Sequence, residues 1–93
     1  MAIKTFKHKG LEKFFISGSK AKIKTAHARK LGLILDQLDA SHKVEDMNYP
    51  GSNFHLLKGK LKKFHSVHIS GNWVVIFRFV GNNAYDVNYL DYY

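Results

Sequence analysis

The order of hydrophobic periods along this chain predicts an α+β fold, with two N-terminal helices packed on one face of a mostly antiparallel sheet of about five strands. Over the first forty residues the apolar positions recur at helical spacing, and from Phe54 onward they alternate with polar ones at the spacing of a strand. Gly71 and the run Gly81-Asn82-Asn83 interrupt the alternating part. These residue types accept positive φ in tight hairpin turns, so consecutive strands pair antiparallel.

Ile3, Thr5 and Phe6 predict a short first strand over residues 2–6, ended by the turn Lys7-His8-Lys9-Gly10. Leu11, Phe14 and Phe15 then stand at i, i+3 and i+4, one face of a short helix that Gly18 closes. Ser19 offers an N-cap for a longer helix from about Lys20 to Asp39, with Ile23, Ala26 or His27, Leu31, Ile34, Leu35 and Leu38 as its apolar stripe. The opposite face carries Lys20, Lys22, Lys24, Arg29 and Lys30 near the start, and Asp36 and Asp39 near the end. Both sets oppose the helix dipole, which leaves a solvated face or a partner surface as their explanation. Gly32, inside the helix, costs up to about 1 kcal/mol relative to alanine and points to close packing.

Residues Ser41 to Asn53 form a connector rich in turn formers, pinned to the core by Val44 and Met47. Phe54 to Leu57 begin the period-two pattern, a basic hairpin or loop follows from Lys58 to Lys63, and strands are predicted at Ser66–Ser70, Asn72–Val80 and Ala84–Leu90. Trp73, Val75, Phe77 and Phe79 share the parity expected to face the helices, together with Val67, Ile69, Tyr85, Val87 and Tyr89. The other parity, with Ser66, His68, Ser70, Asp86 and Asn88, predicts a polar and partly concave open face.

A chain of 93 residues, 45% hydrophobic, is expected to form one domain over 1–93, since at this size only roughly 60–65% of the unfolded surface is buried and two cores cannot be sustained. The absence of cysteine excludes disulfides, thiolate metal sites and thiol nucleophiles. No stretch has the apolar length of a secretion signal or a membrane span, so the expectation is a soluble cytoplasmic protein without membrane contact. A net charge of +8 makes nucleic acid the first partner to consider.

Six histidines raise a metal reading, with His65 and His68 the closest pair. Residues three apart on a strand point to opposite faces, and no cysteine or carboxylate cluster completes a ligand set, so no metal or other cofactor is expected. Phosphate loops, nucleophile elbows and paired-carboxylate spacing are missing as well. Basic and aromatic residues do interleave: Lys58, Lys60, Lys62, Lys63, Phe64 and His65 fall within eight positions, with Tyr89, Tyr92 and Tyr93 nearby if the strands pair as proposed. Lysines hold phosphates and exposed rings stack on bases, the combination used on single-stranded RNA, although a lysine-rich hairpin is also a common device for protecting a sheet edge.

Several ordered segments resemble the HigB toxins of the RelE superfamily. They are Ile3-Lys4-Thr5-Phe6-Lys7-His8-Lys9-Gly10-Leu11, Phe54-His55-Leu56-Leu57-Lys58-Gly59, Gly71-Asn72-Trp73 with Ile76-Phe77-Arg78-Phe79, and Ala84 to Tyr92. The resemblance spans nearly the whole chain and implies a RelE-like fold. It implies a bacterial ribosome-dependent mRNA interferase that cleaves in the ribosomal A site without a metal, paired with a HigA-like helix-turn-helix antitoxin and meeting operator DNA only through it. By position, His55, Asp91 and Tyr92 match catalytic residues of the family and Lys58 its phosphate contact. Lys60, Lys62, Lys63, Arg78 and Tyr93 complete the candidate substrate-binding set.

Two positions depart from the family pattern. Val74 stands where an arginine directly follows the Asn-Trp pair, and Tyr93 where a terminal histidine is usual. Arginine clamps a phosphorane and valine holds no charge; losing such a contact costs on the order of 3 kcal/mol. Arg78 lies about 13 Å further along the same strand parity, too far to replace it directly. These departures set a second reading beside the first, a weakened or inactive toxin that mainly binds its antitoxin. A third is a general basic RNA binder that needs no ribosome.

Overall fold

The computed structural model describes residues 3–92, so the expectations at Ala2 and Tyr93 lie outside the described residues. In chain order the elements are α1 (Lys9–Ser17), a 3-10 turn at Thr25–His27, α2 (Ala28–Ala40), a 3-10 turn at Val44–Met47, β1 (His55–Leu56), a 3-10 turn at Gly59–Leu61, β2 (Phe64–Ser70), β3 (Trp73–Val80) and β4 (Asn83–Asp91). The strands form an antiparallel sheet in the order β1-β2-β3-β4, and helices pack on one side of it, the α+β arrangement expected. Gly71 at φ 56 and Gly81 at φ 63 stand in the tight turns before β3 and β4, where a residue with a Cβ would be strained.

Among the described residues the sheet has four strands rather than about five, because the opening segment only bridges to β4. Ile3 and Phe6 make isolated parallel bridges to Ala84 and Val87. Lys4 N–H donates to Ala84 O at 2.8 Å, Lys7 N–H to Val87 O at 2.9 Å, and Val87 N–H to Thr5 O at 3.1 Å. Between the two bridges β4 bulges: its register with β3 shifts between Ile76 and Arg78, and Asp86 takes a φ of 54. An extra residue in one strand breaks the ladder, which leaves contact on either side of the irregularity but no continuous strand.

The same bulge reassigns side chains. Ala84 and Val87, three residues apart, are both fully buried against the helices. Tyr85 therefore does not join Val87 and Tyr89 in the core as strict alternation predicted; it turns to the open face, where the Arg78 guanidinium lies 5.8 Å from its ring centroid.

The helix α1 begins earlier than the spacing predicts because His8 caps it, its Nδ1 accepting the Leu11 N–H at 2.9 Å, and Gly18 ends it at φ 77. The second helix starts only at Ala28 instead of near Lys20. Lys20, Lys22 and Lys24 would crowd positive charge onto the positive end of its dipole, and these residues instead form a turn in which Ile23 N–H donates to Lys20 O at 3.1 Å. That turn seats against the first turn of α1, where a Cβ on Gly10 would come 2.2 Å from the Lys22 Cβ. Gly32 is not a close-packing glycine: a Cβ there meets Phe14 at 3.9 Å, an ordinary contact.

The main core joins Leu11, Leu31, Ile34, Leu35, Leu38 and Met47 to Val67, Val75, Phe77, Val87 and Tyr89, with Trp73 and Phe79 partly buried against it. The predicted parity of β3 therefore holds. The open face, by contrast, is less polar than expected. Leu57, Val74 and Ile76 are buried there beneath Leu61, Phe64 and Leu90, because the segment after β1 folds Leu61 back over the strands.

Candidate functional site

Register fixes which residues share the open face. His55 pairs with Ser66, Ser66 with Ile76 and Ile76 with Asn88, so the four form one row across the sheet. On one side of it lies the row Phe64, Arg78 and Tyr85, and on the other His68, Val74 and Leu90.

His55 is exposed on the edge strand, and its Nδ1 lies 2.7 Å from Asn53 O. A carbonyl only accepts, so Nδ1 carries the hydrogen and the neutral ring presents Nε2 as a proton acceptor. The residue before Phe54 bends back to make this contact, with Asn53 in the left-handed region at φ 47. Beside His55, the Ser66 hydroxyl is buried and makes no hydrogen bond among the described residues, as does that of Ser52, whose carbonyl accepts the His68 N–H at 2.8 Å.

Lys58 follows β1 and is exposed, and Gly59 at φ 71 turns the chain so that Lys60, Lys62 and Lys63 are also exposed around the Gly59–Leu61 turn. This basic loop runs into Phe64, the register partner of Arg78. Arg78 is already paired: its Nε donates to Asp86 Oδ2 at 2.8 Å, with both side chains partly exposed. Asp86 in turn draws the Thr5 side chain into the same knot, its own N–H donating to Thr5 Oγ1 at 2.7 Å.

Asp91 and Tyr92 stand at the opposite corner. Asp91 is the register partner of Trp73, and Tyr92 N–H donates to Asn72 O at 2.8 Å, which ties the C-terminal pair to the β2–β3 turn. Behind them an aromatic cluster stiffens the end of β4. The Trp73 and Tyr89 rings lie 4.8 Å apart, the buried His27 places Nδ1 2.6 Å from the Tyr89 hydroxyl, and Lys24 Nζ sits 5.3 Å over Trp73. Burial pushes the Tyr89 hydroxyl pKa up, with the Lys24 backbone N–H opposing it.

The structure thus groups Lys58, Lys60, Lys62 and Lys63 at one margin near Arg78 and Tyr85, sets Asp91 beside Tyr92 at another, and keeps His55 apart from Asp91. Three strand spacings and three residues separate His55 from Asp91, a path of about 17 Å along the pleated surface. By alternation Tyr92 shares the open face with His55, while Asp91 takes the parity of Tyr89. His65, three residues from His68, is on the helix side, stacked on Phe54 at 5.3 Å and Phe77 at 5.8 Å. Burial lowers its pKa, and Glu45 opposes that more weakly. His68 faces the site, with Nε2 donating to Gly71 O at 3.0 Å.

Ser66 and Asn88 enter the site through register, which alternation alone does not give. Alternation placed both on the polar face, but nothing in the chain announced that they share a row with His55. Among the described residues no three His, Asp or Glu side chains are arranged to hold one metal ion. No helix of the described residues is long and apolar enough to cross a membrane.

Two comparisons bear on this arrangement. A family model described as the RelE-like toxin of type II toxin-antitoxin system HigB matches residues 4–93. The endoribonuclease HigB of Proteus vulgaris is 31% identical over 91 residues, which cover 98% of this chain and 99% of that protein.

Proposed function

We infer that this chain, which belongs to the HigB-like toxin family of type II toxin-antitoxin systems, cuts mRNA on the ribosome, in the A site, and so stops translation. It works as one domain in the bacterial cytoplasm, without a metal, and is held in check by a HigA-like helix-turn-helix antitoxin, through which alone it meets operator DNA. The observation that carries this reading is the His55 ring, exposed at the open face with Nδ1 committed to Asn53 O and Nε2 left as a base.

In the reaction His55 Nε2 takes the proton of a ribose 2′-OH as its oxygen bonds to the adjacent phosphorus. The bond from phosphorus to the 5′ oxygen breaks, and that oxygen takes its proton from solvent, while Tyr92, at the other corner of the face, stacks on or hydrogen-bonds the RNA. Lys58 holds the phosphate, and its charge offsets the negative charge that builds on the non-bridging oxygens. Asp91 accepts hydrogen bonds from ribose hydroxyls, Lys60, Lys62 and Lys63 track the flanking backbone, and Tyr93 stacks on or bonds the RNA. Arg78 contributes to phosphate binding when it exchanges Asp86 for substrate. Translation-coupled mRNA cleavage by the wild type, His55→Ala and Asp91→Ala tests these roles: both variants lose cleavage, and identical cleavage by all three overturns the assignment.

Val74 favours a second reading. It is 8% exposed within the apolar cluster of Leu57 and Ile76, so the place where the family pattern has an arginine is occupied by packing. On this reading the protein is a weakened or inactive toxin that mainly binds its antitoxin. Val74→Arg with Tyr93→His then produces strong growth arrest where the wild type does not; no difference between them removes this alternative.

A further inference from the structure

Tyr85 is the side chain that the β4 bulge moves onto the open face, and the cleavage chemistry gives it no part. It ends the row Phe64, Arg78 and Tyr85, next to the row that holds His55. The Arg78 guanidinium lies 5.8 Å from the Tyr85 ring centroid while its Nε donates to Asp86 Oδ2 at 2.8 Å. Asp86 is itself set by the bulge, through its φ of 54 and its N–H bond to Thr5 Oγ1. A guanidinium and a phenol ring are thus held together at the surface, both only partly buried.

The pair has the parts that one nucleotide requires. A guanidinium matches the oxygens of a phosphate, and a phenol ring offers a face on which any base can stack. Lys58, Lys60, Lys62 and Lys63 are exposed along the same margin, on a chain of net charge +8, so the local field draws a phosphate-bearing strand to it. The position fits as well. Arg78 lies two strands across and one row along from His55, about 12 Å away, and Tyr85 is one strand further. A nucleotide seated there is a neighbour of the one whose 2′-OH meets His55. It lies away from Tyr92, which stands at the other end of β4.

We propose that Tyr85 and Arg78 form a nucleotide subsite of the open face: the Tyr85 ring stacks on the base of a nucleotide flanking the cut, and Arg78 leaves Asp86 for that nucleotide's phosphate. This assignment rests on the mRNA-cleavage reading and adds a binding residue, Tyr85, to it. Stacking accepts every base, so the subsite gives grip rather than sequence choice. The contact is the same before and during the reaction, so it tells in KM and not in kcat.

The full-length wild type and Tyr85→Leu are compared on ribosomes programmed with a synthetic mRNA, with an abasic nucleotide placed in turn at each position of the A-site codon and just after it. On intact mRNA, Tyr85→Leu raises KM roughly tenfold with kcat unchanged, the size of one base–aromatic stack. For the wild type one abasic position has the same effect, and at that position Tyr85→Leu costs nothing further, because ring and base are two halves of one contact. Arg78→Gln also raises KM and flattens its dependence on salt, since one phosphate contact is gone; an unchanged dependence overturns the part given to Arg78. A Tyr85→Leu loss that persists in full at every abasic position overturns the subsite and leaves cleavage intact. So does an unchanged KM in Tyr85→Leu, which confines the ring to packing beside Arg78. Where Tyr85→Leu fails to fold, Tyr85→Trp decides: its larger face lowers KM on intact mRNA but not at the sensitive abasic position, and the absence of that difference overturns the subsite. If the wild type cleaves none of these messages, the cleavage reading falls and the subsite with it.

Discussion

On the helix side of the sheet, Val67, Val75, Phe77 and Val87 are fully buried under two helices, whereas on the open face Val74 and Ile76 are covered only by Leu57, Leu61, Phe64 and Leu90. Both faces come from the same alternating strands. What separates them is the cover: helices on one side, and on the other a single turn of loop with the side chains of the edge strands. The helix side holds the fold, and the open face has a small apolar floor while its margins carry exposed histidine, lysine, aspartate and tyrosine. Local stability and exposed chemistry are thus divided between two sides of one sheet rather than between two domains of a larger molecule.

The largest effect that tests this division is on stability. Phe77→Ala empties a site with no exposure and costs about 3–5 kcal/mol. Ile76→Ala, one residue along on the open face, costs about 2 kcal/mol, because its thin cover collapses into the gap. Urea unfolding of the two variants measures both; equal losses erase the distinction. The open face is expected to show the reverse sensitivity. His55→Ala lowers cleavage about a hundredfold, as removal of a general base does, and leaves the urea midpoint unchanged because the ring is exposed. A fall in midpoint alongside activity would make His55 part of the scaffold.

The bulge at Asp86 decides which β4 residues belong to which face, and it gives a smaller, sharper test. Asp86 holds φ 54 while its carboxylate pairs with Arg78. Asp86→Ala loses the pair and keeps the left-handed backbone, at a cost of about 1–2 kcal/mol. Asp86→Gly loses the same pair but accepts that φ freely, and it costs less. Equal costs would mean that the ion pair alone matters and that the bulge is set elsewhere.

Much of this division is legible in the chain. The period-two run through Trp73, Val75, Phe77 and Phe79 names the helix-side face, and Gly71 and Gly81 mark the turns, since both signals depend only on neighbours in sequence. The late start of α2 is also written locally, in the three lysines before it, although apolar spacing through Ile23 points the other way. The position of Tyr85 is not legible. It depends on a bulge that forms where Thr5, some eighty residues distant, bonds to Asp86, and no local pattern reports such a contact. The candidate site divides in the same manner. His55, Lys58, Asp91 and Tyr92 emerge from family resemblance, and their exposure is a structural observation. Ser66 and Asn88 join them only through cross-strand register.

The smallest expected effect is a pH dependence of stability on the helix side, from His65. His65 is stacked between Phe54 and Phe77 with a buried, unpartnered Nδ1, and burial lowers its pKa below the ordinary 6.5 against a weaker pull from Glu45. Below pH 6.5 the unfolded chain therefore takes up a proton that the folded chain resists, so His65 makes stability fall as pH drops from 6.5 and has no effect above it. The Asp46 carboxylate, held low by the His42 and Lys43 backbone N–H groups, loses its contribution only below 3.8, outside that window. His65→Phe keeps the ring stack and removes the titrating group. Melting temperatures of the wild type and His65→Phe, measured at pH 7.5 and pH 5, should show a smaller acid loss in the variant. If His65→Phe keeps the full acid sensitivity, proton uptake on unfolding comes from elsewhere, and the helix-side face is not where this fold resists charge.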